Sequence, residues 1–159
     1  MNGFVDESLL DKLFDDASRD ASSRGVRRLS VDGYIDSVVR DIEDLLNSRS
    51  AFSEDQLDAF PECTRSLATY GVPDFSARSL MSSVDRSFVC RVLEQALARD
   101  EPRLKQVRVR VHAQQRAGST LRLSIDALLD MQPALEPIRF DAVLQAATLQ
   151  YSVKRVRGG

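Results

Sequence analysis

The sequence predicts an α+β fold, in which two main amphipathic helices pack on one face of a small, mainly antiparallel sheet. The chain has 159 residues, of which 43% are hydrophobic and 29% charged. This length and composition suit one globular domain with a buried core. Apolar residues recur every three or four positions in the first two thirds of the chain and alternate in the last third. Helices followed by alternating strands are typical of α+β layer folds.

Residues 1–29 are predicted to form an N-terminal arm, and residues 30–159 the single main domain. The stretch "SLLDKLF" has a short helical pattern with one apolar side, made of Leu9, Leu10, Leu13 and Phe14. A polar linker follows and ends at Gly25. A helix this short cannot bury its own apolar side, so it should bind its own domain or a partner. A frayed terminus is an equally good interpretation of the composition.

The first main helix is predicted over "SVDGYIDSVVRDIEDLLNSR", residues 30–49. Ser30 or Asp32 can cap its start, and Asn47 can end it. Its apolar stripe consists of Tyr34, Ile35, Val38, Val39, Ile42, Leu45 and Leu46.

The second main helix is predicted over residues 76–100, with Asp74 or Ser76 as its N-cap. Pro102 ends it, because proline lacks an N–H and disfavours helix in the preceding residue. Its apolar face is expected to contain Leu80, Val84, Phe88, Val89, Val92, Leu93, Ala96 and Leu97. The connection between the helices should hold a turn or two of helix around Cys63–Thr69, with Gly71 and Pro73 as stops.

Strands are predicted at 107–113 and 120–127, where valines and leucines point inward and Arg108, Arg110 and His112 outward. Residues 128–137 are interpreted as a loop with two prolines. Residues 138–144 and 148–156 have the pattern of two further strands, although a helix over 141–150 remains an alternative.

The charge distribution is uneven. Residues 1–58 carry 14 acidic against 7 basic residues, whereas residues 103–159 carry 10 basic against 4 acidic ones. No aromatic residues interleave with the bases of the first predicted hairpin, so we expect no nucleic-acid partner. We also expect no signal peptide and no membrane insertion, because the N-terminus is acidic and no apolar run approaches ~18 residues. Two cysteines make no disulfide framework and indicate reduced thiols in the cytoplasm, with Cys90 packed in the core.

No arrangement typical of catalysis, metal binding or cofactor binding is recognisable. His112 lacks partners at metal-ligand spacing, and there is neither a nucleophile triad nor a glycine-rich phosphate loop. We therefore predict no catalytic residue, no metal and no cofactor. The remaining candidate is Glu101-Pro102-Arg103, where helix changes to strand. Taken alone it is either a surface ion pair or a docking point with an arginine fork.

The order of segments resembles the phage baseplate wedge proteins often labelled "lysozyme-like", and among them the baseplate subunit of bacterial type VI secretion systems. The resemblance extends from about residue 9 to 155 and rests on three groups of residues. They are Arg40-Asp41 with Leu45-Leu46-Asn47 and Arg49, then Tyr70-Gly71 with Pro73-Asp74, and finally Glu101-Pro102-Arg103-Leu104.

The resemblance implies a structural, non-enzymatic role in the cytoplasm, in which the protein links wedge subunits to the first sheath ring. The implied partners are the baseplate subunits TssF and TssG, possibly TssK, and the sheath proteins TssB and TssC. Glu101, Pro102 and Arg103 would bind the central wedge, and a sheet edge would be open to the sheath. The other predicted contacts are Arg108, Arg110 and the apolar side of the arm.

Two alternatives remain at this point. A peptidoglycan hydrolase would need two carboxyl groups about 5–9.5 Å apart across a cleft. Glu101 is the one acid that could be nominated, but Arg103 beside it favours a charged carboxylate, unlike a general acid. The third possibility is a small regulatory adaptor that shares the fold, since fold alone does not determine function.

Overall fold

Two α-helices and a four-stranded antiparallel sheet make up the described part of the computed structural model. It describes residues 30–52, 56, 59–75, 82–112, 121–145, 148 and 150–156. The predicted arm, with Leu9, Leu10, Leu13 and Phe14, lies outside these residues. The elements in chain order are α1 (Val31–Asn47), two short 3-10 helices (Pro61–Arg65 and Leu67–Thr69), α2 (Ser83–Asp100), β1 (Leu104–His112), β2 (Leu121–Asp130), β3 (Leu135–Gln145) and β4 (Gln150–Arg155).

Helix α1 begins and ends as its sequence predicts. The Ser30 hydroxyl accepts a hydrogen bond from the Gly33 N–H at 3.1 Å, which caps the first turn, and Asn47 is the last helical residue. The apolar stripe is buried against the sheet, apart from Val39, which is half-buried. Ser37 is also fully buried within this stripe, although it is polar.

Helix α2 differs from its prediction at the N-terminus. Its first residue is Ser83, and the Ser82 hydroxyl accepts from the Asp85 N–H, so the predicted cap at Asp74 or Ser76 is wrong. A serine followed three residues later by an acidic residue is a common pattern at helix N-termini, and Ser82 with Asp85 has it. Ser82 lies six residues after the start of the predicted segment. Val84 in the first turn is 75% exposed and does not join the core.

The strands form a meander in the order β1-β2-β3-β4. Along β2, buried residues alternate with partly exposed ones, so one face of the sheet lies against the helices. The predicted inward valines and outward Arg108, Arg110 and His112 of β1 are confirmed.

The connection between β2 and β3 is much shorter than predicted. Strand β2 continues to Asp130 and β3 begins at Leu135, so a loop over 128–137 is wrong. The Met131 N–H donates to the Ala134 carbonyl at 2.8 Å and closes a tight turn. The Arg139 carbonyl accepts from the Val156 N–H, so the backbone of Arg139 faces β4. Pro137 lies two residues earlier in β3, and its backbone nitrogen therefore also points away from β2. Pro137 is tolerated because it removes no hydrogen bond between β2 and β3.

A helix over 141–150 is likewise wrong, because β3 runs to Gln145 and pairs with β4. The core lies between the sheet and the two helices, with Phe140 and Ile125 at its centre and Ile42 and Leu93 reaching it from the helices. Cys90 is half-buried beside this core and Cys63 is exposed. Among the described residues, no helix has both the length and the hydropathy needed to cross a membrane.

Candidate docking site at the helix–strand corner

The chain turns sharply between α2 and β1, at Glu101-Pro102-Arg103. The Glu101 N–H still donates to the Leu97 carbonyl at 2.9 Å, as in a helix. Its own carbonyl accepts from the Leu104 N–H at 3.1 Å, which closes a turn around the exposed Pro102. The handover from helix to strand predicted at this proline is therefore confirmed.

The Arg103 guanidinium is held by side chains from two elements. Its Nε donates to Glu101 Oε1 at 2.7 Å, and one terminal nitrogen donates to Glu101 Oε2. The same nitrogen donates to Asp41 of α1, while the other donates to the Ser37 hydroxyl at 2.8 Å. We call these five residues, Ser37, Asp41, Glu101, Pro102 and Arg103, the corner.

The corner is mostly removed from water. The side chains of Glu101, Asp41 and Arg103 are 5%, 16% and 17% exposed. Burial by itself lowers the pKa of the Arg103 guanidinium, but the hydrogen bonds and charges of Glu101 and Asp41 outweigh it and raise that pKa above its ordinary value. Both carboxylates of the corner accept hydrogen bonds from the Arg103 cation, so these are charge-assisted hydrogen bonds that join α1 to the start of β1.

Backbone and aromatic contacts extend the joint to strand β2. The Arg103 carbonyl accepts from the Asp130 N–H at 2.8 Å, and the Asp130 carbonyl accepts from the Tyr34 hydroxyl at 3.0 Å. The Arg103 guanidinium lies over the Tyr34 ring, 5.6 Å from its centroid. Three elements, α1, the start of β1 and the end of β2, are thereby fixed to one another at the corner.

A second joint lies one residue earlier in the chain. Arg99 donates to the carbonyls of Thr69 and Gly71 at 2.7 and 3.1 Å, and the Gly71 N–H donates to Asp100 at 3.3 Å. Gly71 has a φ of +103°, and an added Cβ would lie 2.7 Å from the Ser48 carbonyl oxygen. Only glycine fits this close approach, which explains Gly71 of the Tyr70-Gly71 pair.

The predicted contacts Arg108 and Arg110 lie away from the corner, on the face of the sheet that α1 and α2 do not cover. We call this the outer face. Their side chains are 76% and 63% exposed, and Arg110 forms an ion pair with Asp126 at 3.1 Å. Arg139 from β3 donates to the same carboxylate at 2.5 Å. His112 also points outward, and its Nε2 atom lies 2.9 Å from the Ser124 hydroxyl oxygen.

Two corner residues, Ser37 and Asp41, were not predicted as site residues, although Asp41 belongs to one of the residue groups on which the resemblance rests. The feature of the sequence that could have identified them is the spacing between the two residues. Ser37 and Asp41 are four residues apart on α1 and therefore share a face of the helix. A buried serine one turn before an acid, in an otherwise apolar stripe, indicates that a donor from elsewhere must reach that face.

No group of three His, Cys, Asp or Glu side chains within the described ranges is arranged to hold a metal ion. The described residues form a two-layer α+β domain in which the buried Arg103 pairs with two carboxylates. The chain belongs to the family of the baseplate wedge protein gp25, whose model matches residues 33–134. The family indicates a structural role in a baseplate.

A solved structure of "The baseplate complex from the type VI secretion system" contains a chain similar to this one at 19% identity. The similarity covers 78% of this chain and 94% of that chain, with a TM-score of 0.46. A comparison with curated proteins gives no match.

Proposed function

We propose that the chain is the TssE subunit of a type VI secretion baseplate, where it links wedge subunits to the first sheath ring and promotes sheath polymerisation. The observation that carries this proposal is membership of the baseplate wedge family together with the corner. The family match covers residues 33–134 and therefore includes Glu101, Pro102 and Arg103. The resemblance of Arg40-Asp41, Tyr70-Gly71 and Glu101-Pro102-Arg103 to that subunit supports the choice within the family.

In this proposal the corner binds the central wedge formed by TssF and TssG, with TssK nearby. Pro102 is exposed at the tip of the turn, whereas Glu101 and most of Arg103 lie behind it. The partner would contact Pro102 and the accessible rim of the guanidinium. The buried hydrogen bonds would hold that surface in one geometry before binding, which lowers the entropy cost of association.

The outer face offers a different kind of contact. Arg108 and Arg110 are exposed, and their positive charge can guide an acidic partner and adjust to it. We assign this face and the arm residues Leu9, Leu10, Leu13 and Phe14 to contacts with other baseplate or sheath subunits, including TssB and TssC. The assembly would be cytoplasmic, and no catalytic step is assigned to the chain.

The test is co-purification from the native host with the secretion machine expressed. A tagged wild-type chain should bring down TssF-like and TssG-like subunits. Pro102→Glu should lose them while keeping a wild-type circular dichroism spectrum, because Pro102 is exposed. Arg91→Ala changes an exposed arginine of α2 that belongs neither to the corner nor to the outer face, so it is the control and should retain both subunits.

Two outcomes would contradict the proposal. If the wild-type chain brings down no wedge subunit from such a host, the assignment to this baseplate is wrong. If Pro102→Glu retains both subunits, the corner is a joint within the domain and not a docking site.

A further inference from the structure

A groove of about 510 Å³ lies on the inner face of the sheet, the side that packs against the helices. Ile138 of β3 lines it from the same side of the sheet as the buried Phe140, two residues further along the strand. We call it the inner groove, and its lining includes Ile35, Gln106, Leu129, Ile138, Arg155 and Val156. Its volume is comparable with that of pockets that hold small ligands, so it has room for several side chains.

Part of the apolar lining of the inner groove is in contact with water. Val156, directly after β4, is 37% exposed, and Ile138 is half-buried. Val31, at the start of α1, is also 37% exposed. Burying apolar surface of this kind is favourable, so the groove is suited to an apolar occupant.

Strand β1 reaches the inner groove through an irregularity. Its register with β2 shifts between Lys105 and Arg108, and Gln106, which lies between them, has a φ of +52°. A positive φ is uncommon for a residue other than glycine, and such conformations are concentrated at binding sites. The irregularity brings an exposed residue with both a donor and an acceptor to the groove.

The N-terminal arm joins the domain beside the inner groove. Ser30 is the N-cap of α1, and Asp32 in the first turn forms an ion pair with Arg155 at 3.1 Å. Arg155 and the neighbouring Val156 both line the groove. The chain therefore enters α1 next to the groove, and the preceding residues need not travel far to reach it.

The composition of the arm suits the groove. Residues 1–16 carry the four apolar side chains of the arm together with five acidic residues and one basic residue. At the groove, Arg155 pairs with Asp32, whose side chain is 79% exposed. An ion pair as exposed as this gains little. A carboxylate of the arm can therefore replace Asp32 as the partner of Arg155 at little cost.

The distance along the chain favours the arm over any separate molecule as the occupant. Fifteen residues, 15–29, separate Phe14 from Ser30. They span at most about 50 Å when fully extended, and a random coil of that length spans about 20 Å. A tether of this length presents the arm to the groove at an effective concentration of about 1 mM. A second copy of the chain at about 1 μM is roughly a thousandfold more dilute.

We propose that the apolar side of the arm binds the inner groove of its own chain, with an acidic residue of the arm at Arg155. A weak contact is sufficient: with a Kd of about 0.1 mM, an effective concentration of about 1 mM gives about ten docked chains for each undocked one. Under the proposed function the same residues contact other subunits, so the arm would leave the groove during assembly. That exchange rests on the proposed function, whereas docking in the free chain does not.

The first experiment uses a fluorescent reporter in the arm. The chain contains no tryptophan, so Phe14→Trp introduces a single one. Its emission should lie at a shorter wavelength than in urea, and acrylamide should quench it weakly. Adding Val156→Asp places a carboxylate at the groove, facing an acidic arm, and should raise the quenching constant severalfold, towards the about tenfold limit set by the docked ratio. Val84→Asp, the same change at a valine of α2 that is 75% exposed, is the matched control and should leave quenching unchanged.

Three outcomes of this experiment would overturn the proposal. Unchanged quenching in a Val156→Asp chain with a wild-type circular dichroism spectrum would mean that the arm is not in the groove. Release of the tryptophan by Val84→Asp instead would place the arm on α2. Release on dilution from about 100 to about 1 μM would mean that the arm binds a second copy, because docking within one chain does not depend on concentration.

A second measurement uses the unmodified arm and applies even if Phe14→Trp itself weakens docking. Amide hydrogen exchange over residues 9–14 of the full chain should be about tenfold slower than in a free peptide of residues 1–16, because exchange then occurs from the undocked fraction. Val156→Asp should return the rates to those of the peptide. Equal rates in the wild-type chain and the peptide would overturn the proposal. Neither measurement involves another baseplate subunit, so their failure would leave the co-purification result unaffected.

Discussion

The corner and the outer face use the same pair of chemical groups, guanidinium and carboxylate, in two different environments. At the corner, the Arg103 and Glu101 side chains are 17% and 5% exposed. On the outer face, Arg110 is 63% exposed and its partner Asp126 is 25% exposed. The first pair is largely withdrawn from solvent and the second is screened by it, so the two should differ in what they contribute to stability.

This difference has a consequence for assembly. A buried pair holds its geometry and fixes the surface around it, so the corner is suited to presenting Pro102 in one position. Exposed arginines are mobile and contribute mainly to the rate and orientation of encounter with an acidic partner. In the role proposed above, the corner would determine the docking geometry and the outer face would adjust the rate of association.

The largest expected effect tests the contrast between the two faces of a single strand. Val109 is 6% exposed on the inner face of β1. Val109→Asp should destabilise the domain by more than about 4 kcal/mol, because it places an unpaired charge in the core. Arg108→Asp places the same carboxylate one residue away on the outer face and should change stability by less than about 1 kcal/mol. Urea unfolding of both variants would measure this, and similar losses would mean that the outer face is also packed.

The next prediction concerns the corner. Arg103→Ala should lower the free energy of unfolding by about 3 kcal/mol, because Glu101 and Asp41 would lose the cation that compensates their burial. A surface ion pair, which was one interpretation of this tripeptide, would contribute at most about 1 kcal/mol, and the burial of Glu101 and Arg103 raises the expected loss above that. The measurement is chemical denaturation at neutral pH.

Arg103→Lys is the matched control. It keeps the charge but loses the planar fork, so it should recover part of the stability and not all of it. If Arg103→Ala is as stable as the wild type, the ion pairs of the corner contribute no more to stability than the exposed ion pairs of the outer face. Full recovery by lysine would show that charge alone holds the corner.

The sequence was sufficient for the elements whose signal is local. The stripe of α1, the stop at Pro102 and the alternation of β1 each follow from residues within a few positions, and all are confirmed. The β2–β3 turn was missed because prolines usually end strands, and whether Pro137 is tolerated depends on which neighbour its backbone faces. That information is a matter of register across the sheet and is absent from the local sequence.

The corner was only half predictable for the same reason. Glu101 and Arg103 are two residues apart, so their contact is local, and the sequence places them together. Asp41 is 62 residues from Arg103, and only the packing of α1 on the sheet brings them together. The hydrogen bond from the Tyr151 N–H of β4 to Asn47 of α1 is more distant still, since the two residues are 104 positions apart.

A third prediction compares the satisfied corner with a buried polar group that lacks a partner. The Tyr151 hydroxyl is buried and has no hydrogen-bond partner among the described residues. Tyr151→Phe should therefore raise stability at pH 7 by about 1 kcal/mol, provided that the ring keeps its packing. Thermal or urea unfolding at pH 7 measures this, and a loss of stability would indicate that the hydroxyl has a partner in the folded protein.

The same hydroxyl gives a pH dependence. Burial raises the pKa of Tyr151 to about 12, from an ordinary value of 10.0. The neutral form is favoured by folding, so its contribution is complete below pH 10 and is lost as the pH rises from 10 to about 12. Tyr151→Phe should reduce the alkaline loss but not abolish it, because burial also raises the pKa of Tyr34 and Tyr70. Identical alkaline profiles for the variant and the wild type would contradict this assignment.

The smallest expected effect is on the outer face, where it completes the comparison with the corner. Arg110→Ala should change the free energy of unfolding by less than about 1 kcal/mol, because an exposed ion pair gains little over its hydrated charges. Raising the salt concentration from 0.05 to about 1 M shortens the Debye length to about 3 Å and should remove even that difference. The loss caused by Arg103→Ala should persist at high salt, since buried charges are screened much less. If the two variants instead respond to salt alike, burial does not separate the corner from the outer face. The arginines of both regions would then be equally available to a partner.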